Sequence, residues 1–398
     1  MKVTHLSLTD FRNYAGVEIA LAEGPNLFVG ANGQGKTNLV ESLGYLSTLG
    51  SHRVSVDQAM IRQGADSAIV RARLRHEDRE LLVEVELNRA TANRAKVNRS
   101  MVKLRELPRY FSSVLFAPED LAIIRGEPGV RRRFIDQLLV QRTPRLAGVF
   151  SDYDRVLKQR NMLLKSARTS GIAASQLSTL DIWDERLVGF GSEIIDERLR
   201  LIQLLAEPVQ QAYRVVAGDD HHPRMTAQLS IDGPDLEAIR ESERQPAVPV
   251  NAAQLPRTST AQRFGRAITG LRRKELERGV TLVGPHRDDI LFELNSLPTK
   301  GYASHGESWS FALALKLGSA ELLKRDSVSG DPVLMLDDVF AELDQSRRRR
   351  LAEAVRDFEQ VIVTAAVLED VPAELAAHTV RISAGAVIPE GDANAIRG

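Results

Sequence analysis

The chain has 398 residues, more than one compact domain usually contains, so we expect two or three domains. Apolar residues make up 43% and charged residues 27%, which indicates a soluble, folded protein. The 53 basic residues balance the 53 acidic ones, and cysteine is absent. Global charge therefore gives no argument for a nucleic-acid or membrane partner, and disulfides, thiolate catalysis and cysteine-bound metals are excluded.

The first ninety residues are predicted to form strands and one helix. Apolar runs at 3–8, 17–21 and 26–29 predict three strands. Residues 35–46 predict a helix, because leucines recur there every three or four positions. Alternating apolar residues between 68 and 87 predict an antiparallel sheet. No apolar segment resembles a signal peptide or is long enough to cross a bilayer, so we expect a cytoplasmic protein without a membrane anchor.

The middle of the chain differs from both ends. Residues 130–215 are charged and periodic and predict long helices, with a break at Pro144, whereas 217–260 predict loops. Strands are predicted again at 281–283, 290–294, 333–336 and 361–364. We therefore predict an α/β fold in which both termini form one head domain and a mainly helical arm is inserted. The predicted boundaries are 1–110 and 280–398 for the head and 111–279 for the arm.

A phosphate-binding loop is predicted where the third strand ends. The pattern G-x-x-x-x-G-K-[ST] follows an apolar strand and opens a helix, which is the context that a Walker A motif requires. Its backbone N–H groups would surround the phosphates, Lys36 would reach the β- and γ-phosphates of ATP, and the Thr37 hydroxyl would bind Mg²⁺. The alternative is a glycine-rich turn with a chance lysine. The loop is Gly30-Ala31-Asn32-Gly33-Gln34-Gly35-Lys36-Thr37.

An acidic motif near the other end of the sequence argues against a chance match of the phosphate loop. Four apolar residues, 333–336, end in Asp337 and Asp338. This is a Walker B pattern, in which a buried strand delivers carboxylates to the ligand-binding edge of an α/β sheet. Asp337 is predicted to hold Mg²⁺ through a water molecule, and Asp338 to polarise the attacking water. The alternative is a buried strand that ends in a solvated turn.

Two further motifs favour an ABC-type ATPase over other P-loop proteins. The segment Ala341–Asp344 resembles the D-loop of ABC ATPases. Ser304 and Gly306 lie in a degenerate S-x-G-[EQ] signature, which in ABC dimers binds the γ-phosphate held by the opposite subunit. A plain helix N-cap is the alternative for Ser304. A transport subunit, a P-loop kinase or GTPase, and a scaffold with incidental hydrolysis remain alternatives for the whole chain.

Several segments, in the same order along nearly the whole chain, closely resemble the RecF family of bacterial DNA replication and repair proteins. The resemblance implies an SMC-like ATPase that binds single-stranded or gapped DNA and dimerises when ATP is bound. It also implies action with RecO and RecR to direct RecA to DNA, support of the SOS response, and association with the nucleoid. The segments are Leu8–Tyr14, Pro118–Leu121, Gly126–Asp136, Lys158–Asn161, Gly284–Asp289 and Leu336–Asp344.

The resemblance to SMC-like heads also places Arg12 and Asn13 beside the nucleotide. Three departures from general ABC patterns argue for slow hydrolysis. The second acid is Asp338 rather than glutamate, and the strand at 361–364 is followed by alanines rather than by a switch histidine. At the expected glutamine loop the chain has Pro118 and Glu119. We therefore expect a weak ATPase that acts as a slow switch.

Local charge suggests where DNA binds. Residues 121–170 contain eleven Lys or Arg residues and only four acids, so a basic helical surface is predicted to contact phosphates. The alternative is a solvated helix face. The basic run 347–350 is assigned to the dimer interface or to solvation, and the clusters at 219–222 and 286–289 to structural or interface roles. The DNA-binding candidates are Arg131, Arg132, Arg133, Lys158 and Arg160.

Overall fold

A computed structural model describes residues 1–170, 178–233, 259–327 and 330–388. The fold is α/β, with fifteen strands in three sheets within this part of the chain. In chain order the strands are β1 (Lys2–Phe11), β2 (Tyr14–Ala20), β3 (Gly24–Val29), β4 (Ser67–His76), β5 (Arg79–Asn88), β6 (Arg94–Val97), β7 (Ser100–Val102), β8 (Ser113–Phe116), β9 (Arg224–Gln228), β10 (Asp289–Leu294), β11 (Leu297–Pro298), β12 (Val333–Asp337), β13 (Gln360–Ala365), β14 (His378–Ser383) and β15 (Ala386–Ile388).

Helices surround the sheets and form most of the arm. The described α-helices are α1 (Lys36–Thr48), α2 (Leu121–Arg125), α3 (Pro128–Arg142), α4 (Leu146–Ser170), α5 (Ser178–Ala217), α6 (Thr260–Arg278), α7 (Thr299–Tyr302), α8 (His305–Asp326) and α9 (Gln345–Val355). The break between α3 and α4 falls at Pro144, as predicted, because the proline ring does not fit inside a helix.

The first sheet is antiparallel, with the order β2-β1-β4-β5-β6-β7. Its strands alternate between buried apolar and more exposed positions. In β4, for example, Ala68, Val70, Ala72 and Leu74 are buried, and Val70 lies opposite Val85 of β5. This period of two is the pattern of a sheet with one face on a core, and it confirms the antiparallel sheet predicted between residues 68 and 87.

The second sheet has the order β15-β14-β3-β13-β12-β8 and is parallel except for its last hairpin, β14–β15. Every residue of β12 and β13 is buried, which explains the continuous apolar runs in their sequences. The strands end level with one another, since Asp337 pairs with Thr364 and Ala365 pairs with Val29. The three carboxyl ends therefore bring the segments after β3, β12 and β13 to one edge.

The arm is connected to the head by packing and by a third sheet. Helix α5 packs along α8, and their apolar residues share one core with the parallel sheet. The third sheet joins β9 of the arm to β10 of the head in the order β11-β10-β9. A smaller core, which includes Tyr153, Leu187 and Phe264, lies between α4, α5 and α6.

The structure differs from the sequence-based expectations in four places. Residues 281–283 form no strand, because the N–H groups of Thr281 and Leu282 bond to the side chains of Asn161 and Glu275. The predicted loop region at 217–260 contains β9, and its residues 234–258 lie outside the described ones. Strand β8 pairs with β12, so the head sheet continues past the predicted boundary at residue 110. The pair β14–β15 was not predicted.

Candidate functional site

The predicted phosphate loop connects β3 to α1 at the edge where the parallel strands end. Gly33 and Gly35 have φ values of 80° and 113°, in the left-handed region where glycine is the favoured residue. A Cβ atom at Gly35 would stand 2.8 Å from the hydroxyl of Tyr14 and from Asn13 Nδ2. No side chain caps the N-terminus of α1, and its first turn has no acid, so its N–H groups can receive an anion.

Lys36, the first residue of α1, is 3% exposed, and its side chain turns back into the loop. Its Nζ donates to the carbonyl oxygens of Gly30 at 2.8 Å and Ala31 at 3.2 Å. The loop backbone is itself tied to the sheet, because Gly30 N donates to Ala365 O at 3.3 Å. The ammonium group is thus held at the centre of the loop, where it can neutralise phosphate charge.

The hydroxyl of Thr37 reaches the predicted Walker B acid across 300 positions of sequence. Thr37 Oγ1 donates to Asp337 Oδ1 at 3.1 Å, and Thr364 Oγ1 donates to the same oxygen at 2.6 Å. A threonine hydroxyl beside a buried carboxylate is a pair of hard oxygen donors, which fits Mg²⁺ bound together with substrate phosphates. No cluster of three or more His, Cys, Asp or Glu residues that could hold a metal occurs among the described residues.

Asp338 follows Asp337 in the left-handed conformation, with φ 51° and ψ 19°. Its backbone N–H donates to Thr364 Oγ1 at 2.9 Å, which fixes the turn at the end of β12. Burial raises the pKa of the Asp338 carboxyl, Lys36 lowers it, and the neighbouring Asp337 raises it. Asp338 therefore lies within the electrostatic influence of both Lys36 and Asp337.

Arg12 and Asn13 lie beside the loop but use their side chains mainly to support it. The Arg12 guanidinium forms two hydrogen bonds with Glu41 of α1, at 2.8 and 2.5 Å. Asn13 Nδ2 donates to Gln34 O at 3.1 Å. The β14–β15 turn holds Gln34 from another side, since Ala384 N donates to its Oε1 at 2.5 Å. The exposed Ala31 and Asn32 complete the loop.

His52 is a residue of this site that sequence reasoning missed. It lies in the segment after α1, and its Nε2 is 3.8 Å from Asp337 Oδ2. This nitrogen is buried and has no hydrogen-bond partner in the described structure. A lone histidine in a loop carries no recognisable spacing, so only the three-dimensional structure reveals it.

The predicted signature lies at the N-terminus of α8. Ser304 is exposed and caps the helix: its Oγ accepts from Glu307 N at 3.2 Å, and Glu307 Oε2 accepts from Ser304 N at 2.7 Å. These hydrogen bonds hold the pKa of Glu307 below its ordinary value. Gly306 packs against the guanidinium of Arg347. No described hydrogen bond or ion pair joins Ser304 or Gly306 to the phosphate loop of the same chain.

The D-loop segment forms a short 3-10 helix, Val339–Glu342, followed by Asp344 as the N-cap of α9. Asp344 accepts from Arg347 N at 2.9 Å and pairs with Arg347 Nη1 at 2.9 Å. The guanidinium of Arg347 also packs against Gly306, so it connects the D-loop segment to the signature.

At the position of the glutamine loop, Pro118–Asp120 also form a 3-10 helix, with Glu119 exposed.

The structure corrects the DNA-contact prediction for Arg131 and Arg160, because both are buried in ion pairs. Arg131 is 5% exposed and bonds both oxygens of Asp289, at 2.6 and 2.8 Å. Arg160 is fully buried and bonds Asp184 at 2.6 Å and Glu275 at 2.7 Å. Each guanidinium already has a carboxylate partner and does not reach the surface.

The other three candidates differ in exposure. Arg133 and Lys158 are exposed on α3 and α4. Arg132 is half-buried and donates to the backbone oxygen of Asp288 at 2.6 Å. Together with Asp154, Arg132 and Arg133 line a cleft of about 480 Å³ between the helices. The side chains of Arg133 and Lys158 are therefore accessible to a DNA phosphate.

The two histidine clusters are engaged in packing contacts. Tyr153 and His286 share a hydrogen bond of 2.7 Å, and burial lowers the pKa of His286 to about 3. Asp288 accepts from the backbone N–H and the hydroxyl of Ser230, each at 2.8 Å. In the other cluster, His221 shares a hydrogen bond of 3.0 Å with Tyr213. These contacts fit the structural roles predicted for both clusters.

Comparison with known proteins gives consistent matches over nearly the whole chain. A family model described as RecF/RecN/SMC N terminal domain matches residues 2–384. The DNA replication and repair protein RecF of Leifsonia xyli subsp. xyli is 68% identical over 388 residues, covering 98% of this chain and 99% of that protein. The RecF protein of Clavibacter sepedonicus is 64% identical over 391 residues, covering 98% and 95%.

Solved structures agree with these sequence matches. The structure of the recombination mediator protein RecF-ATP in the RecFOR pathway has a TM-score of 0.83 and 26% identity, covering 97% of this chain and 96% of that one. An SmcHead bound to the C-winged helix domain of ScpA has a TM-score of 0.51 and 16% identity, covering 97% and 96%, which shows likeness of fold alone. In the described part of the chain, no helix is long and apolar enough to cross a membrane.

Proposed function

The chain belongs to the RecF family of DNA replication and repair proteins, and on this premise we propose that it is an ATP-gated DNA-binding protein of recombinational repair. ATP with Mg²⁺ is the proposed ligand of the loop at 30–37. The observation that carries the proposal is the 3.1 Å hydrogen bond between Thr37 and Asp337. It joins the two halves of a Walker site at the carboxyl edge of the parallel sheet, and the solved RecF-ATP structure supports the choice of ATP.

The roles of the site residues follow from their positions. The N–H groups of the loop and of the first turn of α1 bind the phosphate oxygens, and Lys36 neutralises charge on the β- and γ-phosphates. Thr37 and Asp337 would hold Mg²⁺, which when bound would neutralise charge on the transferred phosphoryl group. Asp338 orients the water whose oxygen attacks the γ-phosphorus while the bond to the bridging oxygen breaks.

We propose that hydrolysis is slow and serves as a release switch. Asp338 is one methylene shorter than the glutamate usual in ABC ATPases, so it reaches less far towards a water. The end of β13 presents the Thr364 hydroxyl, which is already bonded to Asp337 at 2.6 Å, and no imidazole. Glu119, at the position of the glutamine loop, is exposed. A weak ATPase activity fits a protein whose ATP is used for assembly.

The proposed assembly is an ATP-dependent homodimer. Ser304 is exposed at the N-terminus of a 22-residue helix, where its hydroxyl and the helix dipole can receive a γ-phosphate. Its described polar contacts stay within the turn that it caps, which supports a role towards a second subunit. Gly306 lies in the same turn, with the guanidinium of Arg347 packed against it. Each active site would thus be completed by the signature of the other chain.

The proposed nucleic-acid partner is single-stranded or gapped DNA, contacted mainly through phosphates by Arg133 and Lys158. By family membership the further partner is RecR, acting with RecO, and the outcome is RecA loading and support of the SOS response. The corresponding place in the cell is the cytoplasm, at the nucleoid. The proposed domain division keeps the head at both ends of the sequence, with the arm beginning after β8.

Fluorescence anisotropy of a labelled gapped DNA tests the proposal. The DNA is titrated with the full chain, with and without Mg-ATP, and Lys36→Ala is the matched variant. We expect Mg-ATP to tighten binding of the wild type and not of Lys36→Ala. Equal affinities of the wild type with and without Mg-ATP contradict ATP gating, and no binding at low salt in either state contradicts a DNA role for the chain alone.

A further inference from the structure

The imidazole of His52 is held at the Walker B carboxylate by the segment that follows α1. Ser51 anchors this segment, because its hydroxyl accepts from Arg53 N at 2.9 Å and Val54 N at 3.1 Å and donates to the buried Glu41. The His52 side chain is 16% exposed. The position of His52 beside Asp337 is therefore set by the hydrogen bonds of the Ser51 hydroxyl, which join this segment to Glu41 of α1.

The two oxygens of the Asp337 carboxylate have different surroundings. Oδ1 accepts both described hydrogen bonds, from Thr37 and Thr364, whereas Oδ2 faces His52 Nε2 at 3.8 Å. This separation is too long for a hydrogen bond and is of the size that a bridging water spans. Because His52 Nε2 is buried without a partner, a ligand in this gap would satisfy it.

Resting on the proposed binding of Mg-ATP, we propose that His52 is a positioning residue that holds a metal-bound water against Asp337. Mg²⁺ keeps several waters when the protein supplies few oxygen ligands, and Thr37 and Asp337 are the side chains that would hold it here. A metal-bound water has two protons to donate. Between the two side chains, such a water would donate one hydrogen bond to Asp337 Oδ2 and the other to His52 Nε2.

The surroundings of His52 agree with this role. Strand β13 ends at Ala365 and is followed by Ala366, and therefore supplies no imidazole to the site. His52 brings one from the segment after α1 instead. Outer hydrogen-bond partners of this kind orient the ligands of a metal and strengthen its binding.

Manganese binding provides a test that does not depend on turnover. Mn²⁺ uses the same oxygen ligands as Mg²⁺ and is detected by electron paramagnetic resonance. Mn²⁺ is titrated into the full chain with a slowly hydrolysed ATP analogue, and nucleotide affinity is measured separately without metal. We expect His52→Ala to weaken Mn²⁺ binding about tenfold and to leave the metal-free nucleotide affinity unchanged. His52→Gln, which keeps a polar atom at similar reach, should recover most of the loss.

His5→Ala, at an exposed histidine of β1, is the control and should match the wild type. An unchanged Mn²⁺ affinity in His52→Ala would overturn the role of His52 alone. Weakened metal-free nucleotide binding in the same variant would also overturn it, because the residue would then support the loop and not the metal. If the wild type itself bound no nucleotide, the proposed function would fail as well, and the two failures are thus distinguishable.

Discussion

The guanidinium of Arg347 lies against Gly306, so that a Cβ atom added at Gly306 would stand 2.9 Å from Arg347 Nη2 and 3.0 Å from Nη1. The same arginine pairs with Asp344, the last residue of the D-loop segment. Arg347 therefore connects the D-loop segment to the signature, which is proposed to face the second subunit. Only a residue without a side chain leaves room for this contact.

Gly306→Ala should displace Arg347 and weaken ATP-dependent dimerisation, while the fold persists. The displaced atoms are the far end of a flexible side chain, so the free energy of unfolding should change by less than about 1 kcal/mol. Sedimentation velocity with Mg²⁺ and a slowly hydrolysed ATP analogue measures the dimer, and thermal unfolding measures stability. The matched control is Gly129→Ala, also at the second position of a helix, where the added Cβ would meet Arg132 at an ordinary 3.8 Å. Unimpaired dimerisation in Gly306→Ala would contradict the proposed coupling.

Arg160→Met should lower the free energy of unfolding by about 3–5 kcal/mol, because it leaves Glu275 buried without its cation. Urea unfolding followed by circular dichroism measures the change. Lys158→Met, two positions away and exposed, is the control and should stay within about 0.5 kcal/mol of the wild type. Equal stabilities of the two variants would show that the buried ion pairs do not stabilise the arm.

Arg133→Ala and Lys158→Ala should each weaken DNA binding similarly for all sequences and flatten its salt dependence. Each lost phosphate contact should reduce the slope of log affinity against log salt by about 0.7 on a single strand. Anisotropy titrations at several salt concentrations give the slope. Arg79→Ala, at an exposed arginine of β5, is the control with the same loss of charge. An unchanged slope in both helix variants would move the DNA interface away from α3 and α4.

The buried His286 should make the fold sensitive to acid. Its pKa is lowered to about 3 by burial, whereas an unfolded histidine titrates near 6.5, so the unfolded state takes up a proton first. The contribution of His286 is present above about pH 6.5 and is lost by about 1.4 kcal/mol per pH unit down to about pH 3. Urea unfolding of the wild type and of His286→Gln between pH 7 and pH 5 isolates this term. Parallel pH profiles would contradict it.

Much of the fold can be predicted from local sequence patterns. The alternation in β4 and β5 and the continuous apolar runs of β12 and β13 predicted strands of the correct kind, because the side-chain period reports how many faces are buried. The phosphate loop was predictable because its glycines and its lysine must stand at fixed spacing. In contrast, residues 281–283 have the composition of a strand, but side chains distant in sequence satisfy their backbone.

The remaining parts of the site depend on contacts between segments far apart in sequence. Arg131 and Arg160 have the same local sequence character as Arg133, and only tertiary packing buries the first two beside carboxylates. His52 reaches Asp337 across 285 positions, without any motif to mark the pair. Such relationships follow from the packing of elements, which no local period or composition encodes.

The mass of the protein in solution tests directly whether ATP induces a dimer. Sedimentation velocity is run without nucleotide, with Mg-ADP, and with Mg²⁺ and a slowly hydrolysed ATP analogue, beside Ser304→Arg as the matched variant. An ATP-gated dimer should give a single chain in the first two conditions, two chains with the triphosphate analogue, and a single chain throughout for Ser304→Arg. A wild type whose mass does not change with the analogue, or a Ser304→Arg variant that dimerises as the wild type does, would contradict an ATP-gated dimer closed by the signature.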